Sequence, residues 1–227
     1  GHLMAEQTAH GRANHLCVAS LFNNVGNGKE SLAYSSSLGV AATMQYSDLF
    51  VNEYGIRFAD ESNGGALGTS ESGKLVESQG YVFSILDQSM IDAYEAGGCT
   101  RHYSGFADAC VGAPIDLRSE IEQYADKDYI WSGETLEELA NTVAADVPTF
   151  LAEMDAYNKA CKTGVDEVFG KDAQYLWPCN VGPFYAMRVC SGMLNTCGGI
   201  RIDRNAQVCD THSKPVEGLF AAGVCTS

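Results

Sequence analysis

Two kinds of segment in this 227-residue sequence could carry out chemistry. The first is Arg101-His102-Tyr103, three adjacent side chains that donate hydrogen bonds or protons and are flanked by glycines. A loop flanked by glycines can close over a ligand, so Arg101 is a candidate catalytic proton donor. The second kind consists of small residues, in Gly198-Gly199 and in residues 218–223. Backbone without bulky side chains lets another backbone or a flat ligand approach closely.

Other common functional sites have no signal in the sequence. The nine cysteines are widely spaced and form no C-x-x-C pair, so we predict no metal site and expect mainly buried free thiols. Gly26-Asn27-Gly28-Lys29 lacks the hydroxyl residue and the further glycine of a phosphate loop, which favours an ordinary turn. The formal charge of −15 disfavours nucleic-acid binding. No apolar run is long enough to predict a membrane span.

Helix-start signals are clearest in the middle of the chain. Thr135 and Glu138 form a capping-box pattern ahead of an apolar stripe, which predicts a helix. Asp146 followed by Pro148 predicts the start of a second helix directly afterwards. Because the link between them is short, we expect an antiparallel helix pair.

Strand signals lie on either side of these helices. Residues 49–58 are typical of a hairpin that turns at a glycine, and residues 80–87 have the composition of a buried strand. A short helix is predicted from Asp87 until it is stopped by glycines. A second hairpin is predicted over residues 199–210, and a small-residue strand over residues 218–223.

Five segments occur in an order and spacing that resemble one known family. They are VNEYGIRFADE (51–61), ETLEELA (134–140), GPFYA (182–186), TCGGIRID (196–203) and PVEGLFAAG (215–223). The ordered set resembles the FAD-dependent fumarate reductase/succinate dehydrogenase flavoproteins, in their soluble fumarate- and urocanate-reductase-like branch. The resemblance covers most of residues 36–226.

This resemblance implies an α+β fold: the capping (substrate) domain of the fumarate reductase flavoprotein fold plus a partial flavin-domain segment of β-strands. We expect residues 1–4 to be a tag remnant and residues 5–35 to end a preceding flavin-domain segment. Residues 36–180 would be the capping domain, and residues 181–227 a partial return into the flavin-binding domain. The family's dinucleotide fingerprint is not found here, so the expectation is a fragment, inactive alone, of a longer enzyme.

The family's chemistry assigns the candidate site. Hydride passes from reduced flavin to an activated carbon–carbon double bond, while an acid protonates the neighbouring carbon. The resemblance implies that Asn195 and Thr196 polarise the substrate. A replacement proton donor could be Tyr46, Tyr54, Arg101, His102 or Tyr103, and Arg101-His102-Tyr103 is the best cluster of donors. The resemblance also implies FAD contacts, in the full-length parent, from Gly198, Gly199, Ala222, Gly223 and Thr226.

Three positions depart from the family pattern. Gly65 stands where fumarate reductases carry their proton-delivering arginine, and Asn195 lies in the segment that replaces the substrate-clamping histidine. Val224 replaces the glutamate that contacts the ribityl chain of FAD. These differences argue against fumarate as the substrate. They favour a less anionic acceptor, such as an enone, an aryl acrylate or a polyphenol- or steroid-like molecule.

Two functions follow as hypotheses. In the first, the chain is the substrate-capping portion of an FAD-dependent oxidoreductase that reduces alkenes. Its partners are a small unsaturated organic substrate and the rest of the flavin domain, and a truncated core strand would also favour dimerisation. In the second, the chain is a stand-alone or inactive module for ligand binding or interaction, derived from such a cap. The sequence leaves the cellular compartment open.

Overall fold

The computed structural model describes residues 2–13, 18–32, 36–64, 69–98 and 114–226. Within these ranges the description covers the backbone alone at residues 8, 18–22, 63–64, 69–71 and 194–197. The chain divides into two compact units. Unit 1 comprises residues 1–21 and 193–227, and unit 2 comprises residues 22–192. The boundaries between the units fall inside two strands, Val18–Gly26 and Phe184–Cys197. The assignment of unit 2 as a cap stays a prediction.

Helices and strands are interspersed along the described part of the chain. The helices are α1 (His2–Ala9), α2 (Ser37–Thr43), α3 (Thr69–Ser78), α4 (Gln88–Gly97), α5 (Leu117–Gln123), α6 (Leu136–Val143) and α7 (Val147–Thr163), with short 3₁₀ helices at Glu61–Gly64 and Ala173–Tyr175. The strands are β1 (Val18–Gly26), β2 (Ser31–Leu32), β3 (Phe50–Asn52), β4 (Val82–Asp87), β5 (Ile130–Gly133), β6 (Phe184–Cys197), β7 (Gln207–Cys209) and β8 (Pro215–Phe220). This mixture confirms the α+β class.

Six strands form the main sheet, in the order β2-β1-β6-β4-β3, and β5 also pairs with β6. Strands β4 and β6 are antiparallel, from Val82 opposite Val189 to Asp87 opposite Phe184. All six residues of β4 are buried, as predicted for this segment. Side chains alternate along a strand, so β4 contributes to a hydrophobic cluster on each face of the sheet.

Helices cover both faces of the sheet in unit 2. On one face Leu86 packs in a cluster with side chains of α2, α4 and α5. On the other face Ile85 packs in a cluster that includes Leu139 of α6 and Phe150 of α7. The predicted helix pair therefore supplies one of the two layers of the core.

The predicted helix caps are confirmed. Thr135 Oγ1 accepts a hydrogen bond from the Glu138 amide at 3.1 Å. The Glu138 carboxylate accepts one from the amide of Glu134, one residue before the cap, at 2.9 Å. Asp146 caps the start of α7. Gly164, which has a φ of 72°, caps its C-terminal end. These side chains satisfy backbone donors that have no partner within the helix, which is why the start signals were reliable.

Asp87 joins three segments of unit 2. It ends β4 and caps α4, where its Oδ1 accepts from the Met90 amide at 3.0 Å. Its Oδ2 accepts from the amides of Asn180 and Val181, each at 2.9 Å. The start of α4, which the sequence placed correctly, is thereby fixed to the segment that leads into β6.

Other expectations needed adjustment. The hairpin over residues 49–58 is confirmed, with Val51 bridged to Arg57 and Gly55 at a φ of 81°. The turn predicted at Gly26-Asn27-Gly28-Lys29, which follows β1, is also confirmed. The strand predicted over residues 218–223 ends earlier, since β8 stops at Phe220. The hairpin predicted over residues 199–210 forms as an antiparallel bridge between Ile202 and Val208, with the amides of Asp203 and Cys209 donating to the carbonyls of Gln207 and Arg201, each at 2.9 Å. Strand β7 also pairs with β8.

Unit 1 has its own small core, formed by Ala5, Ile200 and Val208. Residues 2–4, predicted to be a tag remnant, form the first turn of α1. Antiparallel bridges join Gly11 to Asp210 and Ala13 to Ile200. The unit is thus assembled from segments that lie far apart in the sequence.

Candidate functional site

Two glycine-containing turns of unit 1 lie side by side. The first follows β6, where Gly198 and Gly199 have φ angles of 108° and 139°. The second contains Gly223, with a φ of 92°. Gly198 donates to the carbonyl of Val224 at 3.0 Å, and the amide of Ile200 donates to the carbonyl of Cys225 at 2.8 Å. The two segments predicted to contact FAD are therefore brought together.

Gly199 is required by the packing of the chain itself. It is buried, and a Cβ at this position would lie 2.6 Å from the carbonyl oxygen of Cys225 and 2.3 Å from Nε2 of His2. The backbone that approaches Gly199 belongs to the 222–226 segment, and the FAD contact implied for Gly199 stays a prediction.

Gly223 has the opposite environment. A Cβ built on it meets no atom within 4 Å, and Ala222 and Gly223 are both exposed. Thr226 folds back on the turn, where its Oγ1 donates to the carbonyl of Gly223 at 2.7 Å. The outer side of this turn is therefore open backbone without a bulky side chain, except for Val224, which is 53% exposed.

This turn fits the requirements of a flavin. A flat aromatic ring system needs a strip of backbone that it can approach without meeting side chains, and Gly223 leaves the position of its Cβ empty. Gly198, Ala222, Gly223 and Thr226 are the described residues that would hold such a group.

The predicted catalytic residues are less well defined. Asn195 and Thr196 belong to β6, where the structure describes only the backbone. Arg101 lies outside the described residues, as does Gly65. Their roles stay predictions. Among the described residues, no three His, Cys, Asp or Glu side chains gather as a possible metal site. No helix within those ranges is long and apolar enough to cross a membrane.

Unit 2 contains a buried cluster of charged side chains, which we call the ion cluster: Arg57, Glu61, Asp166 and Lys171. Arg57 Nη2 lies 3.1 Å from both Glu61 Oε2 and Asp166 Oδ2. Lys171 Nζ lies 3.2 Å from Glu61 Oε2. All four side chains are at most 4% exposed. The Arg57 guanidinium also lies 4.9 Å from the centre of the Tyr157 ring, which gives a cation–π contact.

The charges of the ion cluster support one another. Burial raises the pKa of Glu61, but the neighbouring Lys171 and Arg57 outweigh it and hold that pKa below its usual range. Burial likewise raises the pKa of Asp166, but the hydrogen bond and the charge of Arg57 outweigh it and hold that pKa below its usual range. Burial lowers the pKa of Arg57, and its two carboxylates raise it above the ordinary value. The cluster is therefore built to stay ionised.

Sequence reasoning noticed Arg57 and Glu61 as part of a motif and did not identify this cluster. The spacing of four residues between them was the available signal. Asp166 and Lys171 lie more than a hundred positions away. Only the fold brings them to the same place, where they join the hairpin, the 3₁₀ helix at Glu61–Gly64 and the segment after α7.

Comparisons with known proteins agree with this architecture. The family described as "FAD binding domain" matches residues 38–227. The vinyl phenol reductase of Lactiplantibacillus plantarum is 33% identical over 196 residues, which cover 85% of this chain and 39% of that protein. This chain therefore spans well under half the length of that relative.

Two solved structures share the fold. The open conformation of a flavocytochrome c3 fumarate reductase matches with a TM-score of 0.65 and 24% identity, over 100% of this chain and 34% of that one. The 3-ketosteroid delta1-dehydrogenase from Sterolibacterium denitrificans matches with a TM-score of 0.70 and 20% identity, over 99% of this chain and 41% of that one. The family match over residues 38–227 and the similarity to the vinyl phenol reductase show that the chain belongs to the FAD-dependent flavoprotein family of the fumarate reductases.

Proposed function

We propose that this chain is the substrate-capping portion, with one flavin-facing strip, of an FAD-dependent reductase that saturates an activated carbon–carbon double bond. The observation that carries the proposal is the open backbone turn at residues 222–226 beside Gly198. FAD, when bound and reduced, supplies a hydride to one alkene carbon. A proton goes to the neighbouring carbon, so the double bond becomes a single bond.

The chain's own residues would bind and orient the reactants. Gly198 and Gly223 leave room for a flat ring, while Thr226 holds the turn in shape through its bond to the Gly223 carbonyl. Asn195 and Thr196 are uncharged hydrogen-bonding residues that we assign to polarising the substrate. Arg101 is the proton donor that we assign in place of the arginine that Gly65 replaces.

The substrate class follows from the lack of cationic side chains at two positions of the family's substrate site. A dicarboxylate needs cationic partners, and Gly65 and Asn195 supply none at the positions where fumarate reductases have them. Similarity to a vinyl phenol reductase supports an aryl alkene of low charge. We therefore propose a small, weakly anionic or neutral alkene conjugated to an aromatic ring or a carbonyl group.

The proposal also assigns a partner to three exposed apolar side chains of unit 1. Met193 is 64% exposed, Phe220 62% and Val224 53%. Exposed apolar side chains mark a binding surface where they form one contiguous patch. We propose that the rest of the flavin domain covers them, and that dimerisation replaces it when that domain is missing.

Expression of the whole gene that encodes this chain, followed by flavin spectroscopy, tests the proposal. We expect a yellow protein that oxidises reduced methyl viologen in the presence of vinyl phenol, and much more slowly with fumarate. A protein that stays colourless after reconstitution with FAD would overturn the proposal.

A matched pair of variants tests the turn itself. Gly223→Val fills the open position with a side chain, and we expect at least a tenfold loss of FAD affinity. Gly218→Val is the control, because Gly218 also has a positive φ, 73°, and also faces open space in unit 1. Equal FAD affinity in the two variants would contradict the assignment of residues 222–226 to the flavin site.

One observation favours the second candidate function. The side chain of Val224 can form no hydrogen bond, whereas the family has at this position a glutamate that contacts the ribityl chain of FAD. If the whole-gene protein binds an aryl alkene but no FAD, the chain is a ligand-binding module derived from the cap.

A further inference from the structure

Asp48 is a buried carboxyl group that the proposed reaction does not use. Its side chain lies beside the ion cluster, and the residue is 1% exposed. Its Oδ2 accepts a hydrogen bond from the Gln45 amide at 2.9 Å. Among the described residues, no donor reaches its Oδ1. A buried carboxylate with one unpaired oxygen is costly, because desolvation is not compensated on that side.

A second unpaired acceptor lies in the same turn. The side-chain oxygen Oε1 of Gln45 is buried without a donor among the described residues. Its orientation is fixed, since Nε2 of the same amide donates to the carbonyl of Val40 at 3.1 Å. Two buried acceptors in one turn, with no donor among the described residues, would be satisfied if the carboxyl group carried a proton.

The charge balance of the neighbourhood points to the same conclusion. Arg57 and Lys171 are balanced by Glu61 and Asp166. An ionised Asp48 would add a third buried negative charge with no cation of its own. Lys171 Nζ does contact Asp48, but at the main-chain carbonyl, 2.5 Å away.

We propose that Asp48 is a neutral carboxylic acid in the folded protein, with its proton on Oδ1, and that loss of this proton at higher pH destabilises the fold. Oδ2 stays the acceptor for the Gln45 amide. The new hydroxyl donates to Gln45 Oε1, directly or through one bound water. The 45–48 turn thus makes the stability of unit 2 depend on pH, and this inference does not depend on the proposed reductase activity.

The surroundings of Asp48 support a shift in this direction. Burial raises its pKa well above the ordinary value, and Lys171 and the Gln45 amide offset only part of the rise. The charged or titratable groups that face this region from the packed elements are Lys171, Glu61, Arg57, Asp166, Tyr157 of α7, and Tyr94 of α4, which bonds Ser47.

The sign of the pH effect follows from linkage. Above the unfolded-state pKa, near 3.8, the folded protein retains a proton on Asp48 that the unfolded chain releases. Stability therefore falls as the pH rises from that value until the folded-state pKa is passed. The side chain of Asp48→Asn does not titrate, so this contribution to the pH dependence of stability disappears.

Infrared spectroscopy with ¹³C-labelled aspartate tests the proposal on the wild-type chain. At neutral pH we expect a carbonyl band of a protonated aspartic acid, which disappears in Asp48→Asn. Asp155→Asn is the matched control, because it makes the same substitution at an exposed position on α7. The band should stay in that variant.

Urea unfolding gives the second measurement. From mildly acidic to mildly alkaline pH, the midpoint of the wild type and of Asp155→Asn should fall by more than that of Asp48→Asn. Absence of the band in the wild type at neutral pH overturns the proposal, as does a band that survives Asp48→Asn. If Asp48→Asn does not fold, the wild-type band alone decides: it must be present at neutral pH and lost as the pH rises.

Discussion

Replacing Arg57 by methionine should destabilise unit 2 strongly. Methionine fills part of the space beside Tyr157, but it leaves Glu61 and Asp166 buried, at 1% and 2% side-chain exposure, with Lys171 as the one remaining cation of the ion cluster. Removing one partner of a buried ion pair costs about 3–5 kcal/mol. A domain has a total stability of only about 5–15 kcal/mol, so the loss would be a large share of it.

Urea unfolding followed by tryptophan fluorescence measures this loss. Both tryptophans, Trp131 and Trp177, lie in unit 2 and therefore report on the unit that contains Arg57. The control is Arg118→Met. Arg118 also pairs with two carboxylates, those of Asp92 and Glu95, but its side chain is 46% exposed. Water and salt screen such a pair, so we expect a small fraction of the loss seen at Arg57.

The comparison can refute the argument in a simple way. If Arg57→Met and Arg118→Met lower the unfolding free energy equally, burial does not distinguish the two networks. If Arg57→Met is as stable as the wild type, the two carboxylates accept protons or reach water at little cost. Either result would contradict the account of the ion cluster given above.

Three further predictions concern single sites. Gly199→Ala should lower the melting temperature of unit 1 in calorimetry, because its Cβ would lie 2.6 Å from a backbone oxygen, whereas Gly218→Ala meets open space and should cost less. Thr135→Ala removes the cap of α6 and should cost about 1 kcal/mol in urea unfolding; an unchanged midpoint would show that the cap is replaced. Burial raises the pKa of Cys179 well above its ordinary value, so mass spectrometry after thiol labelling should find it modified only on unfolding, while exposed Cys225 reacts in the native protein.

Features that depend on neighbouring residues could be predicted from the sequence. Thr135 and Asp146 cap their helices through amides three residues later, so the local pattern contained the whole interaction. The glycine turn of the 49–58 hairpin was predictable for the same reason. The order of the five motif segments also identified the family, because these segments lie at separate points along the chain.

Features that depend on distant residues could not be predicted. Strand β6 runs for 14 residues and mixes arginine, cysteine, glycine and asparagine with apolar residues, so its composition does not indicate a strand. It is a strand because β4 and β5 pair with it. The proton assigned to Asp48 was equally hidden, since its causes are the depth of burial and the charge of Glu61.

The composition of unit 1 from two separated segments has a consequence for how the protein is made. Its bridges join Gly11 to Asp210 and Ala13 to Ile200, so residues 11 and 13 must wait for partners that are synthesised much later. Residues 22–192 have their own cores and can become compact in the meantime. Long-range closure of this kind is slow, and during synthesis the early segment is exposed to proteases and chaperones.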